Sequence, residues 1–409
     1  MASKGDILVG LDIGTTKICT VIGERVGERV NIVGVGMSSS TGLRKGVVVN
    51  IEQTVKSIKK SLEEAEHMSG CEIRSVYTGI AGSHIMGFDS HGIIPIRGDE
   101  VTRSDIERVI DAAKAVAIPL DREVIHILPQ EFIVDNQSGI EDPLGMSGVR
   151  LEVKVHIVTG AVSSAQNIIR SCHKAGLDVA DIVLEPLASA YAVLNDEEKE
   201  IGVALVDIGG GTTDLAVFCN DSIKHISILS LGGTNLTSDI AFGLRTPTAA
   251  AEEIKKKYGC ALTELVEDNE IIDVPSVGGR PPRRLSRRVL AEICEPRMEE
   301  ILALVDQELV KSGYKSMIGA GVVLTGGSSL IEGIVELGEQ IFGLPVRIGY
   351  PIGIGGVKDV VMSPKYATAV GLLIYGARKE FSSHSFRIRE RNVFNRLLSK
   401  MKNWFVDIS

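Results

Sequence analysis

The chain has 409 residues, 44% of them hydrophobic and 24% charged, with a mean hydropathy of +0.18; at roughly 100–200 residues per domain it can bury several cores and is not globally disordered. A net charge of −9 and an aromatic content of 4% speak against nucleic-acid binding through bulk charge or base-stacking surfaces.

The first apolar run, Ile7 to Gly14, reads as a buried strand ending at glycine. Lys17–Gly23 and Val30–Gly36 follow as two more short strands, a three-strand meander. Asn50 opens a helix with Gln53 three residues on and an apolar stripe of Ile51, Val55, Ile58, Leu62 and Ala65, and Gly70 is its expected stop. Between about Ser83 and Gly160 the pattern changes. Strand-like runs at Gly92–Ile96, Val124–Ile127, Phe132–Val134 and Leu151–Val158 surround one helix, about Arg103–Ala117, as in a small inserted α+β domain. A helix around Ser163–Ala175, a strand Ala180–Leu184 and a helix Pro186–Leu194 come next.

The opening pattern then returns. Val203–Ile208 is again an apolar strand carrying an aspartate near its end, followed by a Gly/Thr turn and the strand Leu215–Cys219. Two copies of strand-Asp-Ile-Gly-turn-Thr, 195 residues apart, suggest a duplicated α/β fold. A third apolar strand from Gly321 runs into Gly326-Gly327-Ser328 and a helix expected from Leu330. Between these, about Asn235–Val310 is helix-rich and holds a basic, Pro-containing loop, Val274–Arg288. Past Tyr375 the pattern loosens into a polar linker. No apolar run reaches the roughly 18 uncharged residues of a membrane span. The six cysteines (Cys19, Cys71, Cys172, Cys219, Cys260, Cys294) are scattered, as in a reducing compartment. The expected location is therefore the cytosol, or the cytosolic face of a membrane.

The chemistry concentrates in the two turns. A tight Gly/Thr turn after a strand presents backbone N–H groups and hydroxyls to phosphate oxygens, and glycine permits the close approach. The turns are Gly14-Thr15-Thr16 and Gly209-Gly210-Gly211-Thr212-Thr213. Either one alone reads as a plain hairpin. Together with the Gly326-Gly327-Ser328 turn they make a nucleotide site, with ATP as cofactor. Asp12 and Asp207 would face each other and hold a hydrated Mg²⁺, and Lys17 would reach the phosphates. Glu252 and Lys255 share one helix face, suited to ribose and adenine or equally to an ordinary ion pair. Glu185, before Pro186, is the candidate catalytic residue that orients an attacking water; the alternative is a carboxylate favoured by a helix N-terminus.

Leu11-Asp-Ile-Gly-Thr-Thr, Val206-Asp-Ile-Gly-Gly-Gly-Thr-Thr-Asp and Leu324-Thr-Gly-Gly-Ser resemble the two phosphate motifs and the adenosine motif of the actin, sugar-kinase and DnaK-type chaperone superfamily. Within it, Ile127-Leu-Pro-Gln-Glu-Phe, Gly145-Met-Ser-Gly-Val-Arg, Val274-Pro-Ser-Val-Gly-Gly-Arg-Pro-Pro-Arg and Leu290-Ala-Glu-Ile-Cys-Glu-Pro-Arg are similar to the FtsA family of bacterial cell-division proteins.

The resemblance implies an α/β fold, a duplicated actin-like ATPase. Core half 1A would take residues 1–83, 163–200 and about 360–377, the inserted subdomain 1C 84–162, core half 2A 201–234 and 311–359, and subdomain 2B 235–310. A linker at 378–390 and a C-terminal amphipathic helix at 391–409 would complete it. It implies head-to-tail self-assembly, recruitment of later division proteins through 1C, and binding of the C-terminal peptide of the tubulin-like FtsZ on 2B. ATPase activity would be weak at most. Five arginines in nine residues, with Arg297 beyond, offer a docking surface for an acidic peptide through Arg280, Arg283, Arg288 and Arg297; the plainer reading is a solvated face. A small-molecule kinase and a type IV pilus actin-like adaptor are the rival readings of the same core.

The C-terminus is legible from physics alone. Phe394, Leu397, Leu398, Met401, Trp404 and Phe405 form one helical face, with Arg391, Arg396, Lys400 and Lys402 beside or opposite it. That is the pattern of a helix lying in an anionic membrane interface, which the family resemblance would put at the cytoplasmic face of the inner membrane at the division septum. The net charge is correspondingly split, +5 on residues 378–409 and −14 on the rest.

Overall fold

A computed structural model of the chain describes residues 6–27, 29–278 and 280–385. The expected meander is present: β1 (Asp6–Ile13), β2 (Lys17–Val26) and β3 (Arg29–Ser39) pair antiparallel in sequence order. From Leu8 to Ile13 every residue of β1 is buried, because the sheet is covered on both faces and alternation would expose nothing useful. A two-residue ladder, β4 (Leu43–Arg44) with β5 (Val47–Val48), leads into α1 (Ile51–Ser69). The Asn50 side chain accepts the Gln53 N–H at its start, and Gly70, at φ 69°, ends it. Thr54, Ser57 and Ser61 join the apolar stripe facing the sheet. The helix comes so close that a Cβ on Gly36 would lie 1.9 Å from the Ser61 carbonyl oxygen.

β6 (Ser75–Ile80) pairs parallel with β1, and the chain then leaves the sheet. The inserted domain is β7 (Met86–Pro95), α2 (Arg103–Ala113), β8 (Arg122–Val134), β9 (Gln137–Ile140) and β10 (Arg150–Ala161), a four-stranded sheet in the order β7-β10-β8-β9 with its own core around Val109, Leu151 and Val153. The two runs expected at Val124–Ile127 and Phe132–Val134 are one strand. Pro129 stays within β8 because the register slips there, pairing Pro129 with Val155 and Glu131 with Lys154. Gln130 lies within this bulge and its amide donates to the Ile223 carbonyl in the second half, at 2.9 Å.

The chain re-enters through α3 (Val162–Ala175), β11 (Asp178–Leu184), α4 (Glu185–Val193) and α5 (Asp196–Ile201). The first sheet, with the late strand β19 (Ile354–Gly356) added, has the order β11-β6-β1-β2-β3-β19. The second half repeats it: β12 (Val203–Ile208), β13 (Thr213–Cys219) and β14 (Ser222–Leu229) form the meander. Next come α6 (Gly233–Gly243), α7 (Thr248–Tyr258), the hairpin β15 (Ile271–Val274) and β16 (Arg283–Ser286), and α8 (Arg287–Ser312). Then follow β17 (Val322–Thr325), α9 (Ile334–Phe342), β18 (Val346–Ile348) and β19 (Ile354–Gly356). Its sheet order, β14-β13-β12-β17-β18, matches β3-β2-β1-β6-β11 strand for strand. Even the register repeats, with Asp12 opposite Cys19 and Asp207 opposite Asp214. The duplication read from the sequence is real.

Three expectations differ in detail. The basic stretch is not a loop throughout, since Arg283 and Arg284 lie in β16 and Arg287 and Arg288 open α8. The helix expected from Leu330 begins at Ile334, after a 3-10 turn at Gly327–Leu330 and a left-handed Gly333. Nor does the chain loosen after Tyr375: α10 (Ala367–Ser385) continues through the first residues of the expected linker. Its Gly371 stacks on the Ala188 carbonyl of α4, and Gly10 of β1 takes the Ala369 carbonyl, so α10 belongs to the first half. No helix among the described residues is long and apolar enough to cross a membrane. The amphipathic face Phe394–Phe405 lies outside the described residues.

Candidate functional site

Each β-meander delivers its first turn to the same place. The Gly14 N–H donates to the Lys17 carbonyl at 3.0 Å, and the Gly209 N–H to that of Thr212 at 2.9 Å, so both turns close with the same bond. They face each other at contact distance. A Cβ on Gly210 would sit 2.4 Å from Thr16 Cγ2, and one on Gly211 2.5 Å from Thr15 Oγ1. Glycine is required here for approach and not for conformation, as neither residue has a positive φ. The turns line a cleft of about 990 Å³, within the range of a bound small molecule.

Around it stand Asp12, Gly14, Thr15, Thr16, Lys17, Glu185, Asp207, Gly209, Gly210, Gly211, Thr212, Glu252, Lys255, Gly326, Gly327 and Ser328. Of the residues expected to bind cofactor, Thr213 alone is not among them. It is the first residue of β13, where side chains alternate; Thr212 takes the cleft side, and Thr213 is fully buried with its hydroxyl on the Leu231 carbonyl. Sequence reasoning missed Asp214, Thr234, Thr237, Lys60 and Lys365, all of which line the cleft. It also missed the two hydroxyls that hold Asp207: Ser189 Oγ at 2.6 Å and Thr368 Oγ1 at 3.3 Å, both donating to Oδ2. Asp214 was signalled as the last residue of the quoted motif.

Four carboxyls meet in this space. Asp12 is ion-paired with Lys17; burial opposes the lysine charge, but Asp12, Cys19 and Asp207 together hold the ammonium above its usual range. Asp207 is pushed up by burial and by Asp12, with its two hydroxyl donors acting the other way. Asp214, whose Oδ1 is buried without a partner, is pushed well above the carboxylate range by burial and then by Asp207. Glu185 opens α4 and shifts the same way, through burial and the charges of Asp12, Asp214 and Asp207. Of the five lysines lining the cleft, only Lys17 pairs with one of these four carboxyls, so this end of the cleft is acidic, and a hard cation would find oxygen ligands on both sides of it.

At the far end Glu252 and Lys255 do pair, at 2.7 Å. Both also hold Thr237, whose hydroxyl donates to Glu252 at 2.5 Å and accepts from Lys255 at 2.9 Å. Lys255 reaches the Gly233 carbonyl at 3.1 Å, and Ser328 the Gly209 carbonyl at 3.1 Å. α7 is thereby tied to α6, and α6 to the second phosphate turn through the Gly233 and Thr234 N–H groups, which donate to the Gly209 and Gly210 carbonyls at 2.9 and 2.8 Å.

The arginines lie away from the cleft. Arg288 pairs with Asp268 at 2.8 Å, Arg297 with Asp239 at 2.6 Å and also with Glu300, and Arg283 donates to the Leu244 carbonyl and to Ser276. Arg280 is exposed. Among the described residues, no group of His, Cys, Asp and Glu forms a preassembled metal site.

A relative described as cell division protein FtsA from Pseudomonas aeruginosa is 52% identical over 407 residues, covering 98% of each chain. The chain belongs to the FtsA family. The FtsA protein of Escherichia coli K12 is 41% identical over 411 residues, covering 98% of this chain and 96% of its own. The family model for cell division protein FtsA matches residues 204–371, and that for the SHS2 domain inserted in FtsA matches 82–159. Among solved structures, the PilM-PilN type IV pilus biogenesis complex matches with a TM-score of 0.65 at 18% identity, over 90% of this chain and 98% of that one. MreB5 of Spiroplasma citri bound to AMPPNP matches at 0.54 and 17%, over 94% and 100%. The fold is that of the actin-like ATPases, with the SHS2 domain inserted in its first half, in a family of cell-division proteins.

Proposed function

We propose that this chain is an ATP-binding, actin-like scaffold that tethers FtsZ filaments to the cytoplasmic face of the inner membrane at the division septum. The observation that carries the reading is the pair of phosphate turns, closed by the same hydrogen bond and meshed Thr16 on Gly210 and Thr15 on Gly211. Solved relatives of the fold are bound to ADP and to AMPPNP, and another is a double helical filament.

The turns' N–H groups and the hydroxyls of Thr15, Thr16 and Thr212 would bind phosphates. Asp12 and Asp207 would hold Mg²⁺, with Ser189 and Thr368 fixing the Asp207 carboxylate. The unpartnered Asp214 oxygen and the four carboxyls gathered around the single Lys17 pair fit a cation there. Bound Mg²⁺ supplies positive charge to the phosphates. Lys17 would trade Asp12 for a phosphate oxygen, and Glu252, Lys255 and Ser328 would grip the nucleoside. Burial and the charges of Asp12, Asp214 and Asp207 push the Glu185 carboxyl well above the usual range, which disfavours the ionised form a general base needs. Slow hydrolysis follows, and nucleotide acts chiefly by drawing the halves together for head-to-tail assembly.

The arginine-bearing hairpin and the start of α8 are the proposed site for the FtsZ peptide, whose acids would exchange with Asp268 and Asp239. The inserted domain would recruit later division proteins. The face Phe394–Phe405 would lie on anionic lipid, each nearby base adding about 1 kcal/mol. Co-sedimentation with anionic liposomes, with FtsZ and ATP, tests the whole reading. The full chain should pellet with lipid and carry FtsZ down; a chain ending at Arg389 should do neither. Equal pelleting of both chains would refute the anchor. Phosphorylation of a sugar or acetate by the purified chain would instead favour the kinase reading.

A further inference from the structure

The inserted domain touches the first half at one polar contact of unusual placement. In the first sheet β11 is an edge strand, so its outward amides have no strand to pair with. The last of them, the Leu184 N–H, donates to Nε2 of His126 on β8 at 3.0 Å. An imidazole that accepts there carries its proton on Nδ1, and burial keeps the ring neutral, pushing its pKa down to about 4. The next residue after Leu184 is Glu185.

Glu185 is gripped from the other side as well. Its carboxyl side chain lies over Gly79 of β6, where a Cβ would come 2.7 Å from Glu185 Cγ and 3.0 Å from Oε1. From Ile80 the chain runs straight on through residues 81–85 into the inserted domain. Arg122, on the same strand as His126, clasps both crossings of that boundary: it donates to the His84 carbonyl at 2.8 Å and to the Thr159 hydroxyl at 3.1 Å. The first phosphate turn reaches the same boundary, since Thr15 Oγ1 accepts the Gly46 N–H at 2.9 Å and a Cβ on Gly46 would lie 3.3 Å from the Ala81 carbonyl. Tyr375 of α10 stands edge-on to His126, with ring centroids 6.2 Å apart, and donates to Asp181 of β11 at 2.9 Å.

We infer that His126 is a positioning residue for Glu185, and that through it the orientation of the inserted domain and the state of the nucleotide cleft are linked. Both strands that flank Glu185 are thereby tied to the inserted domain, β6 by the continuous chain and β11 by the imidazole. A shift of that domain moves the Glu185 turn, and a cleft that draws Glu185 toward a nucleotide pulls on His126. The inference deepens the proposed role of Glu185 and rests on it for its nucleotide-dependent part only.

Hydrogen exchange on the full chain, resolved to the Leu184 amide, is the test. Without nucleotide, His126→Phe keeps a ring of similar size but no acceptor, and should speed Leu184 exchange by about three- to tenfold, the scale of one net hydrogen bond. His126→Gln offers an acceptor and should restore protection. With ATP and Mg²⁺, the unaltered chain should change protection in peptides spanning 82–90 and 122–128. His126→Phe should bind nucleotide with its affinity within about threefold and lose that distant response, with His126→Gln regaining it. Unchanged Leu184 exchange in His126→Phe, or an undiminished response of the inserted domain, overturns the inference. If the unaltered chain binds no nucleotide, the proposed function fails, while the Leu184 measurement still decides the positioning bond.

Discussion

Gly210→Ala isolates the meshing of the two phosphate turns. The added methyl carbon would lie 2.4 Å from Thr16 Cγ2 and 2.6 Å from Thr16 Oγ1, against an ordinary carbon–carbon contact of about 3.5–4.0 Å. Thr16 has little room to respond, because a β-branched side chain is stiff at χ1. The turns must therefore part by about 1 Å. Overpacking of this kind costs about 1–3 kcal/mol, which, if the closed cleft bears all of it, weakens nucleotide binding by about 5- to 150-fold. Alanine strains nothing else at this position, since Gly210 does not have a positive φ. Titration of a fluorescent ATP analogue with Mg²⁺ measures the loss. Thr16→Ala removes both clashing atoms, so the double variant should bind more tightly than Gly210→Ala alone, a coupling a double-mutant cycle reads directly. Gly210→Ala binding as the unaltered protein does, or no rescue by Thr16→Ala, would refute the meshing as the basis of the site.

Two further outcomes are expected. Ser189→Ala leaves Asp207 held by Thr368 alone, and should weaken the Mg²⁺-dependent part of nucleotide binding by about 10- to 100-fold, as loss of a supporting partner behind a metal ligand does; titrations with Mg²⁺ and with EDTA separate that part. For the nucleotide-free protein, the Glu185 and Asp214 carboxyls are pushed above the ordinary range in which the unfolded chain titrates, so their contribution to stability is full at low pH and is lost as pH rises toward their raised values. Urea unfolding between pH 5 and 8 should show that decline made shallower, by at most about 1.4 kcal/mol per pH unit, in Glu185→Gln, and an unaltered slope would mean Glu185 is ionised throughout.

Sequence was most informative where chemistry is compressed into neighbours. The phosphate turns are backbone devices a few residues long, so their glycines and threonines announce themselves, and the repeat of the Asp-Ile-Gly pattern announces the duplication. It was least informative where a contact joins distant residues. Ser189 and Thr368 meet at Asp207 from α4 and α10, and nothing local marks either hydroxyl. Thr213 falls outside the cleft lining, because composition does not say on which residue a turn ends and strand alternation begins. Pro129 hid the continuity of β8, since a proline in a ladder is tolerated only at a bulge and bulges have no simple signature. The run past Tyr375 lacks an apolar stripe, yet α10 persists to Ser385.

The seating of α10 sets an order of construction. β1 is made before every other described strand, yet the backbone surface at Gly10 is covered by Ala369 of α10, more than 350 residues later. The second half is contiguous from Val203 to Ile348 and can close as soon as it is made. Contacts so far apart in sequence form slowly and late. The half that begins first therefore finishes last, when the first turns of α10 seat on it.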